Sequence, residues 1–241
     1  MSATTFGRFV LLHSPLVGPR TVLPLAKALE GLGHEAAVPD LSSAVSESGL
    51  STTILKRAVT QALGDPRQGP LILAGHSGAG VYLPILATEI EPAGQVLIDA
   101  VVPPVAGAFL PSADFRQELD RLVESDRRLP PWPRWWDDNV MAALVPNPGL
   151  RAAISGECPR LPIGFYDSVI QAPPEWTRPW VGYLRLSDRY EREALIASGR
   201  GWPVTRRDGG HLDLATRPDE VVLDLIALVQ PVLESWTGPV Q

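Results

Sequence analysis

Leu71-Ile72-Leu73-Ala74-Gly75-His76-Ser77-Gly78-Ala79-Gly80 runs from a strand through a sharp turn into the start of a helix. Its first half, with Pro70 ahead of it, is continuously apolar, as a parallel strand covered on both faces should be. The turn matches G-x-S-x-G except that Ala79 stands at the second glycine. A serine on a strained strand-to-helix turn needs small residues two positions away on each side, and Gly75 and Ala79 meet that need. Such a turn lifts the Ser77 hydroxyl above the sheet edge. It also points the Gly78 N–H toward an oxygen that gains negative charge. The plainer alternative is a glycine-rich turn without chemistry. A nucleotide-binding turn fits worse, because Gly75, Gly78 and Gly80 lack the G-x-G-x-x-G spacing and no G-K-[ST] follows.

The same strand–helix alternation continues on both sides. Gly7–Leu12 is a short apolar strand. Thr21–Leu32 places Val22, Leu25, Ala26, Leu29 and Leu32 on one helix face, and Gly33 stops it. Glu35–Pro39 reads as a strand, and Thr52–Leu63 as a helix closed by Gly64-Asp65-Pro66. After the serine come a helix at Val81–Glu89 and a buried strand at Gln95–Ala100. Later come a strand at Trp180–Leu186, a helix at Arg189–Ser198, a strand at Trp202–Arg206 and a last helix at Pro218–Val232. The pattern predicts an α/β fold with a mostly parallel central sheet flanked by helices.

Residues 101–179 break the pattern. They hold 13 of the 25 prolines and Trp132, Trp135, Trp136 and Trp176, with no strand periodicity and one helical piece at Asp114–Glu124. Structureless loops beyond about 12–15 residues are uncommon. The segment therefore reads as a helical, Pro/Trp-rich cap inserted between two sheet strands. Residues 1–100 and 180–241 form the core domain, and an independent second domain is the alternative.

Composition narrows the partners. In 241 residues, 45% are hydrophobic and 20% charged, which excludes collagen-like, coiled-coil and disordered classes. A net charge of −6 argues against nucleic acid and anionic membrane as main partners. The oligomeric state stays open, and no cofactor or metal motif is present. The lone Cys158 has no internal disulfide partner, which fits a reducing, cytoplasmic setting. Phe9–Leu12 is too short for the roughly 7–15 apolar residues of a signal-peptide core. Val221–Val229 contains Asp224 and reads as a buried amphipathic helix. Arginine outnumbers lysine 19 to 2, as in a GC-rich bacterial genome.

Together with the serine turn, Leu11-Leu12-His13-Ser14 after the first strand and Gly209-Gly210-His211-Leu212 after the last give a chain that resembles the α/β-hydrolases over nearly its whole length. Within them it is most similar to the compact methylesterase and hydroxynitrile-lyase-like branch, whose spacing from strand end to helix end His13 through Gly33 keeps. The family order is Ser, acid, His, and His211 completes it. Of the other three histidines, His34 follows a helix-ending glycine and reads as surface, while His13 and His76 flank backbone turns. The resemblance implies Asp188 as the acid, with Asp99 as the alternative because some members place it one strand earlier. Asp208 and Asp213 read as loop solvation and helix capping. For the oxyanion hole, the resemblance implies Gly78 and a donor in the loop after the first strand. That second position falls on Pro15, which has no N–H. The Leu16 N–H and the Ser14 hydroxyl are the candidates to replace it. His13, Pro15, His76, Trp132, Trp135, Trp136 and Trp176 are the expected pocket walls.

These readings imply a serine-dependent hydrolase of a small carboxylic ester, thioester or lactone, working through an acyl-enzyme at Ser77. The alternative is a non-hydrolytic enzyme on the same scaffold, a lyase or a biosynthetic cyclase, motivated by Pro15. A hydroxynitrile lyase fits poorly, since such relatives use a lysine near the site and Lys27 and Lys56 lie on early helices. Dehalogenases and epoxide hydrolases need aspartate where Ser77 stands. A ligand-binding module without turnover is a third reading, opposed by Ser77 and His211 together.

Overall fold

The computed structural model describes residues 6–64 and 69–237. The Asp65-Pro66 end of the turn expected after the second helix lies outside the described residues. The main strands are β1 (Arg8–Leu12), β2 (Glu35–Ala37), β3 (Leu71–His76), β4 (Gly94–Ile98), β5 (Trp180–Arg185) and β6 (Val204–Arg206). They form one sheet in the order β6-β5-β4-β3-β1-β2, with every pair parallel. The longer helices are α1 (Leu23–Gly31), α2 (Thr52–Leu63), α3 (Leu83–Ile90), α4 (Ala113–Leu122), α5 (Asp138–Leu144), α6 (Pro148–Glu157), α7 (Glu191–Gly199) and α8 (Pro218–Ser235).

Successive strand side chains point to opposite faces, so the apolar strands build two cores. Val10, Leu12, Leu73, Leu97 and Tyr183 pack with Leu55 and Val59 of α2, Leu83 and Leu86 of α3, and Ala194 of α7. Phe9, Leu11, Ile72, Val96, Ile98 and Leu184 pack with Leu25 and Leu29 of α1, and Val221, Leu225 and Val229 of α8. This is the layering that continuous apolar strands require.

Helix starts follow local chemistry. Ser51, Ser112 and Asn147 cap α2, α4 and α6 by accepting from the N–H of Ile54, Phe115 and Leu150 respectively. Two starts differ from the sequence expectation. The helix expected from Thr21 opens as a 3-10 turn at Pro19–Thr21. The helix expected from Val81 is preceded by a 3-10 turn at Ser77–Tyr82. In both, a proline (Pro24, Pro84) occupies the first α-turn, where its missing N–H costs nothing.

Residues 101–179 lie between β4 and β5 and contain α4, α5 and α6. They also contain a short antiparallel pair, Gly107–Phe109 with Ile170–Ala172, that the sequence did not announce. Three-residue strands rich in glycine and alanine carry too little periodicity to be seen. Two apolar clusters tie the segment to the core. Val145, Ile154 and Cys158 pack with Val17, Leu212 and Ala215. Leu119, Leu129, Leu161, Ile163 and Phe165 form the other, with Leu16 against it.

His34 is not a surface residue. Its ring is buried edge-on against Phe9, and Nδ1 accepts the Gly7 N–H at 3.1 Å. It joins the start of β1 to the start of β2, and burial lowers its pKa.

Candidate active site

β3 runs directly into Ser77, whose φ of +57° is the strained conformation expected of the turn. The small neighbours are needed for space. A Cβ on Gly75 would lie 3.0 Å from the Ala79 carbonyl oxygen, and one on Gly80 only 2.2 Å from that of Val101. Val101 in turn donates its N–H to the Ser77 carbonyl at 3.2 Å, which ties the turn to the segment beyond β4.

Three side chains form a hydrogen-bonded line. Ser77 Oγ lies 3.0 Å from His211 Nε2, and His211 Nδ1 lies 2.7 Å from Asp99 Oδ2. The carboxylate can only accept from Nδ1–H, which leaves Nε2 to accept from the serine hydroxyl. Asp99 follows β4, has φ +42° and is fully buried. Its Oδ1 accepts the N–H groups of Leu186 and Ser187 at 2.8 and 3.0 Å, and its Oδ2 also accepts the Ser187 hydroxyl at 2.6 Å. Burial alone would raise its pKa. The hydrogen bonds from His211 and Ser187, with the histidine's charge, outweigh burial and hold it below the usual carboxylate value. Tyr183 fixes the next residue: its hydroxyl donates to the Ala100 carbonyl at 2.9 Å and accepts the Ala100 N–H at 3.1 Å.

Asp188, the acid expected from the resemblance, does not reach His211. Its side chain is 93% exposed and paired with Arg185, whose buried guanidinium also meets Glu191 at 3.0 Å and Asp208 at 3.3 Å. Arg185 therefore draws Asp188 outward, and the acid beside the histidine comes from the neighbouring strand. Asp208 is a solvated loop residue. Asp213 is buried at the turn that carries His211 and accepts the Thr216 hydroxyl at 3.2 Å.

A cavity of about 600 Å³ opens onto Ser77, Gly78 and His211. Pro15, Trp132, Trp135 and Trp136, among the expected pocket walls, line it, and so does Leu16, expected instead as an oxyanion donor. Phe109, Phe115, Phe165 and Tyr166 add further aromatic wall, with Glu118, Arg189, Arg192 and Glu193 as charged groups. Trp136 lies under the Arg189 guanidinium at 5.2 Å, and Trp132 lies 6.5 Å from the His211 ring.

Three expected pocket residues lie elsewhere. His13 is buried behind the wall, its Nε2 accepting the Leu41 N–H and its Nδ1–H donating to the Ser14 carbonyl, both at 3.0 Å. It locks the loop after β1 onto the chain near Leu41. His76 packs on His211, with ring centroids 4.6 Å apart, and donates Nε2–H to the His211 carbonyl at 2.9 Å. Burial first, and then the neighbouring His211, push its pKa down to about 3, so it stays neutral. Trp176 is fully buried under the sheet. Its indole N–H donates to the Pro104 carbonyl at 2.9 Å, and the Gln95 side-chain amide donates to the Trp176 carbonyl at 2.6 Å.

The loop after β1 turns its two candidate donors toward each other. The Leu16 N–H donates to Ser14 Oγ at 3.4 Å, and Ser14 is buried against Gly78, where a Cβ would lie 2.9 Å from Ser14 Oγ.

Tyr190 was not legible as a site residue. It follows β5 in the turn after Asp188, where no motif marks a tyrosine. Its ring stacks flat on His211, with 4.9 Å between centroids and 7° between planes, and its hydroxyl lies 3.3 Å from Ser77 Oγ. Burial is the main cause of a pKa pushed up to about 12.

Among the described residues, no group of three or more His, Cys, Asp or Glu side chains is placed to hold a metal ion. No helix among them is long and apolar enough to cross a membrane.

No family model and no curated protein matches the sequence. Solved structures match its fold. An extracellular α/β-hydrolase from a Paenibacillus species, described as sharing structural and functional homology with tobacco salicylic acid binding protein 2, superposes with a TM-score of 0.69. It is 16% identical, over 92% of this chain and 98% of that one. The pyrethroid hydrolase PytH gives 0.67 at 16% identity, over 95% of this chain and all of that one. A methylesterase from Arabidopsis gives 0.66 at 15% identity, over 93% and 99%. Likeness at these identities speaks for a shared fold.

Proposed function

For a chain with the α/β-hydrolase fold, we propose a serine hydrolase of a small carboxylic ester, thioester or lactone. The observation that carries this reading is the line from Ser77 Oγ through His211 to Asp99, with separations of 3.0 and 2.7 Å, at the floor of an aromatic cavity. In this reading His211 takes the Ser77 proton as Oγ attacks the carbonyl carbon, and ionised Asp99 stabilises the imidazolium. The Gly78 N–H receives the oxyanion. Collapse expels the alcohol or thiol with the proton from His211, leaving an acyl-enzyme. A water that His211 deprotonates then releases the acid. The esterase and hydrolase names of the structural neighbours support ester chemistry.

Residues 101–179 act as a cap in this proposal, since they supply most of the cavity's aromatic wall. The single buried Cys158 supports a cytoplasmic location. The test is Ser77→Ala. Wild type is expected to hydrolyse p-nitrophenyl butyrate and to take one fluorophosphonate label, and the variant to do neither. A wild type that takes no label sinks the reading. Pro15 favours a second reading, a lyase or cyclase. It would be supported by a Ser77-dependent product formed without incorporation of oxygen from ¹⁸O-labelled water.

A further inference from the structure

We propose that Tyr190 is a catalytic residue of this site, its hydroxyl acting as the second donor to the oxyanion in place of the backbone N–H that Pro15 lacks. The proposal rests on the ester-hydrolase reading above. The loop after β1 leaves the task open: Pro15 has no N–H, the Leu16 N–H is turned to Ser14 Oγ at 3.4 Å, and the buried Ser14 does not line the cavity. Tyr190 approaches Ser77 from the turn after β5, inside the cavity.

The direction of its hydrogen bond follows from the line of protons. His211 gives Nδ1–H to Asp99, so its Nε2 accepts the Ser77 hydroxyl proton. Ser77 Oγ is then left to accept from the Tyr190 hydroxyl. At 3.3 Å this bond is longer than the 2.7–2.8 Å typical of O–H···O pairs. Little is lost when it is exchanged for a shorter, charge-assisted bond to an oxyanion. That oxygen is carried on the carbon newly bonded to Oγ, two bonds from the atom this hydroxyl already contacts.

In the step itself the Oγ–C bond forms, the Ser77 proton moves to His211, and the carbonyl π pair moves onto oxygen. The Gly78 N–H and the Tyr190 O–H both hydrogen-bond that oxygen. Tyr190 keeps its proton throughout, because burial makes it a weak acid. Two contacts aim it: the flat stack on His211, and the backbone turn in which the Tyr190 N–H donates to the Ser187 carbonyl at 3.1 Å. Arg185, by holding Asp188 and Glu191 on either side, anchors that turn. The residue expected as the acid thus becomes part of the mount for a donor.

Tyr190→Phe keeps the ring and removes only the hydroxyl. With p-nitrophenyl butyrate, kcat is expected to fall about 100-fold, as for loss of an oxyanion donor, with KM within twofold of wild type. Inhibition by a trifluoromethyl ketone, whose serine adduct carries an oxyanion, should weaken by a similar factor. If kcat and inhibitor affinity both stay within threefold, Tyr190 is not a donor, while the hydrolase reading stands. A raised KM or lowered Tm with kcat unchanged marks a packing role and overturns the proposal equally. A wild type that fluorophosphonate does not label overturns this proposal and the hydrolase reading together.

Discussion

The Asp99 carboxylate meets Nδ1 of His211 at 2.7 Å from the end of β4, one strand away from Asp188. It is fully buried and its oxygens accept four hydrogen bonds, so it is a fixed negative charge behind the histidine.

Asp99→Asn should therefore abolish most activity. The amide cannot stabilise an imidazolium, and its NH₂ favours the wrong histidine tautomer. A loss of kcat of roughly 10⁴-fold is the scale for such a change. Asp188→Asn removes one of the acidic partners of Arg185 but leaves Glu191 to hold the turn of Tyr190, so kcat on p-nitrophenyl butyrate should fall by no more than about tenfold, far less than for Asp99→Asn. Comparable losses in the two variants would contradict the assignment of Asp99.

The choice between these two acids shows how far the sequence reaches. Strand ends are legible, because apolar runs stop where Asp99 and Asp188 begin, and both residues sit at the correct edge of the sheet. Which one turns inward depends on packing between segments far apart in the chain. Asp99 is captured by the N–H groups of Leu186 and Ser187, and Asp188 by Arg185. No spacing rule encodes either contact. The same limit hid Tyr190, while Ser77 and His211 were legible because a strained turn and chain order constrain them locally. Trp176 shows the converse. Composition placed it with the cavity tryptophans, yet it is held under the sheet by Gln95 and Pro104.

His76 sets an acid limit on stability. The unfolded chain protonates this histidine near its ordinary value of 6.5, whereas the folded protein resists until about pH 3. Between those values the unfolded state binds more protons, so stability is full above about pH 6.5 and falls as pH drops toward 3. The total effect is on the order of 4–5 kcal/mol at about 1.4 kcal/mol per pH unit. His13 and His34, also lowered by burial, act in the same direction. The urea midpoint should drop clearly between pH 7.5 and 5. His76→Gln, which keeps a donor for the His211 carbonyl, should flatten that drop. An unchanged slope in the variant would show that His76 is not the group responsible.

Gly80 has no room for a side chain. A Cβ there would lie 2.2 Å from the Val101 carbonyl oxygen, a backbone atom next to the hydrogen bond that ties Val101 to Ser77. Gly80→Ala is expected to cost about 1–3 kcal/mol, the usual range for overpacking, and to lower kcat by shifting the serine turn. Gly156 in α6 has nothing within 4 Å of its Cβ position. Gly156→Ala should be neutral or stabilising by up to about 1 kcal/mol. Urea denaturation of the two variants gives the comparison directly, and equal stability would mean that the chain relaxes around the serine turn.

Trp136 and Trp176 come from the same segment but should fail differently. Trp176 is fully buried, with its indole N–H bonded to Pro104 and its ring edge-on to Trp202 at 5.6 Å. Trp176→Ala is expected to cost about 3–5 kcal/mol through the cavity it leaves, while KM in the folded fraction stays near wild type. Trp136 lines the cavity beneath Arg189, and its indole N–H has no acceptor among the described residues. A bound ester could supply one. Trp136→Ala should raise KM for an aromatic ester several-fold with a smaller change for p-nitrophenyl acetate, and Trp136→Phe should recover the apolar part only. Steady-state kinetics beside thermal melts separate the two residues. A Tm loss for Trp136→Ala as large as that for Trp176→Ala, with KM unchanged, would assign Trp136 to packing instead of substrate contact.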